Sequence, residues 1–192
     1  MTPILYFVRH GQTDWNAEAR FQGTRDIPLN DNGRGQARRN GATLKGLVDP
    51  AKVNFIASPL MRTRETMEII RGEMGLEAEV YETDDRLKEL SFGDWEGRTV
   101  TELEETQSDL WAARQANKWS FRPPQGESYQ DLADRLRSWV DEIDGPLVVV
   151  SHGGVNRGLR YLLSDHDNET LANALIPQDK IMIIEDGSVS WV

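Results

Sequence analysis

Apolar positions in this chain fall into short runs separated by amphipathic stretches. Ile4 to Val8 is a continuous, β-prone run and predicts a buried strand. Residues 31–48 open on Asp31-Asn32, continue through good helix formers and predict a helix, despite Gly33, Gly35, Gly41 and Gly46. Val53 to Ala57 predicts a second strand. Ser58-Pro59 then opens a helix over about residues 60–74, with Ser as N-cap and Pro in the first turn. Ala78 to Tyr81 is expected as a third strand. Over 127–143, Leu132, Leu136, Trp139, Val140 and Ile143 share one helical stripe, and Gly145-Pro146 breaks the chain after it. Leu147 to Val150 is the strongest strand signal, and Gly153-Gly154 leads into a helix near 155–163. Residues 181–184 and 188–192 predict a closing hairpin around Asp186-Gly187.

Strands alternating with helices predict an α/β fold with a mostly parallel central sheet covered on both faces. A length of 192 residues suits one domain, 1–192, with a helical or irregular insertion or flap around 91–126, where Pro123-Pro124 falls. The absence of cysteine excludes disulfides, Cys-zinc sites, iron–sulfur clusters and a thiol nucleophile. Ile4 to Val8 is too short for a signal peptide or a membrane span, so a cytoplasmic protein with no membrane partner is expected. The net charge of −10 disfavours nucleic acid, whose phosphates would be repelled. The charge is uneven. Residues 1–72 hold 11 basic and 7 acidic side chains, whereas 73–192 hold 11 basic and 25 acidic. That fits either scattered charge on solvated helices, as at Arg34, Arg38 and Arg39, or a local anion site.

Ligands of parallel sheets bind beyond the carboxyl ends of the strands. Three strands here end in Arg9-His10-Gly11, in Ser58-Pro59-Leu60-Met61-Arg62 and in Ser151-His152-Gly153-Gly154. One such tripeptide is an ordinary strand-to-helix turn as readily as a site; three converging loops are not. The chemistry they suggest is that of phosphate. Arg9 and Arg62 offer forked donors, and Gly11 and Gly153 let backbone N–H groups approach an anion beside helix N-termini. A neutral imidazole attacks phosphorus near neutral pH, so one histidine can be the nucleophile while the other donates to the phosphoryl oxygens.

Several blocks, in order and at matching spacing from residue 4 to about 160, resemble the histidine phosphatase (phosphoglycerate-mutase-like) superfamily. They are Arg9-His10-Gly11-Gln12-Thr13-Asp14-Trp15-Asn16; Phe21-Gln22-Gly23 with Asp26, Pro28-Leu29-Asn30, Gly33 and Gln36-Ala37; Ser58-Pro59-Leu60 with Arg62-Thr63 and Glu65-Thr66; Leu87-Lys88-Glu89-Leu90-Ser91-Phe92-Gly93-Asp94-Trp95-Glu96-Gly97; Gly126-Glu127-Ser128; and Val150-Ser151-His152-Gly153-Gly154. The resemblance implies a three-layer α/β/α sandwich. It implies His10 as a nucleophile forming a phosphohistidine, and Arg9, Arg62 and His152 as the phosphate pocket. Glu89 is implied as the acid that protonates the leaving oxygen and then the base that activates water. Asn16, Gln22 and Gly23 would line the pocket. The implied activity is metal- and cofactor-independent hydrolysis of a small phosphorylated metabolite, on the phosphatase branch. The alternatives are a cofactor-dependent phosphoglycerate mutase and a phosphate-binding pseudoenzyme. The chain is shorter than mutases usually are, and its acid segment lacks their Glu-Arg-His-Tyr-Gly stretch. Two departures stand out. Met67 replaces a usual small residue, and Asn156-Arg157-Gly158 is an odd start to the helix after His152.

Other features have plainer readings. His166, in Ser164-Asp165-His166-Asp167-Asn168-Glu169, lacks the rest of a metal loop and is expected in solvent. Residue chemistry alone does not choose Glu89 over Glu82, Asp84, Asp85 or Glu96 as the acid; the resemblance does. Of the tryptophans, Trp139 is expected in the core, Trp15 and Trp95 are open, and one of Trp111 and Trp119 is expected at the pocket. Arg98, Arg114, Lys118 and Arg122 would favour a substrate with a second anionic group if any faces inward. Met182-Ile183-Ile184 is readable as a homodimer edge or as core.

Overall fold

The computed structural model describes residues 3–192. Six strands make one mixed sheet: β1 (Leu5–Arg9), β2 (Asn54–Ala57), β3 (Glu82–Thr83), β4 (Leu147–Ser151), β5 (Ile181–Glu185) and β6 (Ser188–Trp191), in the spatial order β3-β2-β4-β1-β5-β6. The pairs β1–β4, β2–β4 and β2–β3 are parallel, whereas β1–β5 and β5–β6 are antiparallel. The closing hairpin turns at Asp186 and Gly187. Both have positive φ, 46° and 79°, as a two-residue turn matching strand twist requires.

Eight α-helices are present among the described residues: α1 (Asp14–Ala17), α2 (Asp31–Leu47), α3 (Met61–Met74), α4 (Val100–Thr106), α5 (Ser108–Ala116), α6 (Tyr129–Val140), α7 (Gly153–Leu163) and α8 (Asn168–Asn173). None is long and apolar enough to cross a membrane. The strand pleat sorts side chains between two layers. Leu5, Phe7 and Val149 face a core with Leu132 and Leu136 of α6 and Val155 and Leu159 of α7. Val8, Val148 and Val150 face the opposite core, with Leu44 of α2 and Met67 and Ile70 of α3. The uninterrupted apolar runs therefore follow from burial on both faces. Met67, a departure from the family's small residue, is fully buried there as α2–α3 packing. Met182 and Ile184 belong to the first core, which resolves them as core residues.

Two expectations need correction. Ala78 to Tyr81 is not a strand: Val80 N–H bonds back to Glu77 O, Val80 is 60% exposed, and pairing with β2 begins only at Glu82. An exposed residue has no core face to hold it in a sheet. Nor does Ser58 cap α3. Its N-cap is Leu60, which lacks a side-chain cap bond, and the Met61 N–H goes to Asp26 Oδ1 at 2.5 Å. The Ser58 hydroxyl is thereby left for the site.

The turn after β1 is locked to the start of α2 by two glycines. A Cβ on Gly11 would lie 2.7 Å from the Gly33 carbonyl carbon, and one on Gly33 would lie 2.6 Å from Gln12 N. Gly11→Ala is expected to destabilise the fold by about 2–4 kcal/mol, because the obstacle is backbone that cannot swing aside. Urea unfolding checks this, and an unchanged midpoint would contradict the close approach.

Candidate active site

The carboxyl ends of β1, β2 and β4 meet at one edge of the sheet. His10 continues the ladder, its N–H donating to Ser151 O at 2.9 Å, and Ser58 N–H does the same to Val150 O at 3.0 Å. A cleft of about 170 Å³ opens there. Arg9, His10, Asn16, Gln22, Gly23, Arg62, Glu89 and Gly153 all line it, joined by Arg20, Phe21, Leu90, Phe92, Tyr129 and Arg157.

His10 is only 3% exposed. Its Nδ1 lies 2.7 Å from Gly11 O, and a carbonyl can only accept, so the proton is on Nδ1. Nε2 is left with a free lone pair. Burial first, then the charges of Arg62 and Arg9, hold the His10 pKa well below 6.5. His152 is displaced in the same direction by burial and by Arg62. Its ring centroid is 5.3 Å from that of His10, and its Nε2 is 2.8 Å from Ser58 Oγ. The Ser58 hydroxyl also accepts from Leu60 N–H at 3.4 Å. The other ring nitrogen of His152, Nδ1, is buried without a protein partner.

Both histidines thus stay neutral on folding, with a sign that can be checked. Below pH 6.5 the unfolded chain binds protons there that the folded protein does not, so stability falls with pH in this range. The loss is about 1.4 kcal/mol per histidine at pH 5.5. Thermal unfolding at pH 7.5, 6.5 and 5.5 reads it, and His10→Ala should lessen the slope. A midpoint independent of pH would contradict the assignment.

The arginines are held by backbone carbonyls. Arg62, 1% exposed, donates from Nη1 to Arg25 O at 2.7 Å and from Nη2 to Gly23 O at 2.8 Å. Arg9 Nη1 donates to Ile176 O at 2.6 Å. Neither Nε has a protein partner. Burial lowers both pKa values to about 10, which leaves both side chains charged at neutral pH. Glu89 is fixed by two backbone donors, Gly154 N–H to Oε2 at 3.0 Å and Leu90 N–H to Oε1 at 3.1 Å. It alone of the five carboxylates weighed lines the cleft. Glu82 is exposed on β3, Asp84 caps a turn and pairs with Arg86, and Asp85 pairs with Lys88. Glu96 accepts from Thr24 and Phe92 N–H.

Other expectations shift. Gly11 does not offer its N–H to an anion: that group donates to Thr66 Oγ1 at 3.1 Å, and the missing Cβ serves packing against Gly33. Neither Trp111 nor Trp119 lines the cleft. Trp119 is core, stacked on Tyr129, and Trp111 sits behind Phe21. Trp95 is fully buried. Arg98 turns to Thr106, and Arg122 pairs with Asp131 at 2.5 Å. His166 bonds locally to Ser164 Oγ, and no metal-holding group of His, Asp and Glu occurs among the described residues.

Sequence reasoning missed Tyr129, Ser58 as a partner of His152, and Gln178. Gln178 Nε2 donates to His10 O at 3.0 Å and to Asn16 Oδ1 at 3.1 Å. Only Ser58 carried a signal, as a polar residue at a strand end.

Comparison with known proteins places this geometry. A model of the histidine phosphatase superfamily (branch 1) matches residues 5–191. The probable phosphoglycerate mutase GpmB of Escherichia coli is 38% identical over 155 residues, which cover 78% of this chain and 69% of that protein. Phosphoglycerate mutase-like protein 4 of Arabidopsis thaliana is 37% identical over 162 residues, 81% and 68% of the two chains. The solved structure of a mycobacterial glucosyl-3-phosphoglycerate phosphatase with VO3 superposes with a TM-score of 0.80 at 30% identity, covering 99% of this chain and 96% of that one.

Proposed function

The chain belongs to the histidine phosphatase superfamily, and from that premise we propose that it hydrolyses a small phosphomonoester through a phosphohistidine on His10. The observation that carries the reading is the tautomer of His10, with Nδ1 committed to Gly11 O and a neutral Nε2 in a cleft shared with Arg9, Arg62 and Glu89. Nε2 attacks phosphorus and the ester P–O bond breaks. Glu89 gives its proton to the departing oxygen. A water then attacks the phosphohistidine, Glu89 takes that water's proton, the P–N bond breaks, and His10 and inorganic phosphate are regenerated. Arg9, Arg62 and His152 offset the charge on the transferring group. Two guanidinium groups supply the positive charge that a metal would otherwise contribute, so turnover is expected to be metal-independent.

The relatives named as mutases favour a second reading, in which the phosphohistidine returns its phosphoryl group to an organic hydroxyl instead of water. One experiment separates the two. Hydrolysis of p-nitrophenyl phosphate is expected across pH 5–8 and unchanged in EDTA. Inertness there, together with isomerisation of 3-phosphoglycerate primed by bisphosphoglycerate, would establish the mutase. A rate that collapses in EDTA would overturn the metal-free mechanism.

A further inference from the structure

Asn16 and Gln178 are 162 residues apart in the chain and meet beside His10. The chemistry of their partners settles which way both amides point. Asn16 faces the Thr13 N–H at 3.1 Å, and a backbone N–H can only donate, so the facing atom is Oδ1. Gln178 faces His10 O at 3.0 Å, and a carbonyl can only accept, so the facing atom is Nε2. Gln178 therefore commits both Nε2 protons, one to His10 O and one to Asn16 Oδ1 at 3.1 Å. Asn16 Oδ1 takes a third donor, Thr13 Oγ1, at 3.3 Å. With its oxygen so occupied, the Asn16 amide has its Nδ2 donors left for the cleft it lines.

Where Asn16 sits explains why it needs an outside tether. Its helix, α1, is four residues long, and a single turn does not hold itself. The Thr13 bonds close a capping box inside that turn and anchor the amide to nothing beyond it. Among the described residues, Gln178 makes the one side-chain hydrogen bond from Asn16 to the rest of the fold. Gln178 is itself well fixed. Its carbonyl accepts from Asn40 Nδ2 at 3.0 Å, and Asn40 is buried in α2. Two residues earlier, buried Ile176 offers the carbonyl that holds Arg9, and three residues later begins β5, paired with β1. Gln178 does not line the cleft, so any part it has in the reaction passes through a neighbour.

Resting on the hydrolase reading above, we propose that Gln178 is a positioning residue. By bridging His10 O and Asn16 Oδ1, it holds the Asn16 Nδ2 donors in register with the His10 nucleophile, aimed at the oxygens of the transferring phosphoryl group.

A double-substitution cycle tests this, read as kcat/KM on p-nitrophenyl phosphate and as inorganic phosphate binding by calorimetry on the same four proteins. Gln178→Met keeps the length of the side chain and removes its N–H. It should lower kcat/KM and weaken phosphate binding, each by about tenfold, the loss expected of a misdirected charge-assisted bond. In the Asn16→Ala protein the same substitution should change either quantity by less than about twofold, because the residue it acts through is gone. Gln178→Glu adds a readout that packing would not move. An ionised carboxylate has no proton for His10 O or Asn16 Oδ1, and a protonated one has one, so the deficit relative to wild type should be larger at pH 8 than at pH 5. Should Gln178→Met fail to fold, Gln178→Glu takes its place in the cycle. Wild-type turnover and affinity in Gln178→Met, an equal loss with and without Asn16, or a Gln178→Glu deficit that ignores pH would overturn the positioning role and leave the hydrolase standing. Phosphate binding that follows the cycle, in a wild type that turns over no ester, keeps the role and sinks the hydrolase.

Discussion

His10→Ala is expected to lower p-nitrophenyl phosphate turnover by on the order of 10⁵-fold with the fold retained. The size follows from the role. In the proposed mechanism, loss of the covalent nucleophile removes the reaction path, while Arg9, Arg62 and His152 are left to bind phosphate and stabilise charge. Binding of inorganic phosphate should therefore outlast catalysis in this variant. A second readout separates a nucleophile from a residue that merely orders the pocket. Wild-type protein quenched rapidly in alkali during turnover should show a phosphoryl mass increment on the peptide containing His10, and the variant should show none there. The neighbouring His152 is the natural control, because its Nε2 is engaged by Ser58. A phosphoryl group on His152, or substantial turnover by His10→Ala, would reverse the roles assigned to the two imidazoles.

How legible this site was depends on where its parts come from. β1 and β4 announce themselves, since strands buried on both faces are apolar throughout and the first polar residues after them stand at the sheet edge. Arg9, His10, Ser151 and His152 were readable for that reason. So was the β5–β6 hairpin, through a turn pair that tolerates positive φ. Glu89 was not readable from chemistry. It follows a short 3-10 turn in an irregular stretch, and five carboxylates competed until the family segment selected one. Arg157 and Gln178 were out of reach because their contacts are made across the fold. Arg157 is held by the carbonyl of Ala174, and Gln178 reaches His10 O from 168 residues away. No local pattern encodes such a meeting. The Ala78–Tyr81 error has the opposite origin: local propensity was present, but Ala78, Glu79 and Val80 are exposed and only Tyr81 packs against the core.

Glu89→Gln is expected to slow hydrolysis of sn-glycerol 3-phosphate by about 10³-fold and to slow the first turnover of p-nitrophenyl phosphate far less. An alkoxide is a poor leaving group and needs its proton as the P–O bond breaks, whereas nitrophenolate departs without one. The second half of the cycle makes the test sharper. In the proposed cycle Glu89 is also the base that activates water, and that step does not depend on which alcohol has left. In the variant, phosphohistidine should therefore accumulate, and nitrophenol should appear as a burst close to one equivalent of enzyme followed by a slow steady rate. The substitution also disturbs a fixed geometry. Both carboxylate oxygens accept backbone N–H bonds, from Gly154 and Leu90, and an amide can satisfy only one. A stability loss of about 1 kcal/mol should accompany the kinetic effect. Gly154→Ala separates position from protonation: a Cβ there would lie 2.6 Å from Leu90 Cδ2 and collide with the Glu89 carboxylate, moving an intact acid away from its station. It should reproduce the alkyl-ester defect while the carboxylate remains. Equal losses on alkyl and aryl esters in Glu89→Gln, with no burst, would mean that the proton comes from another group.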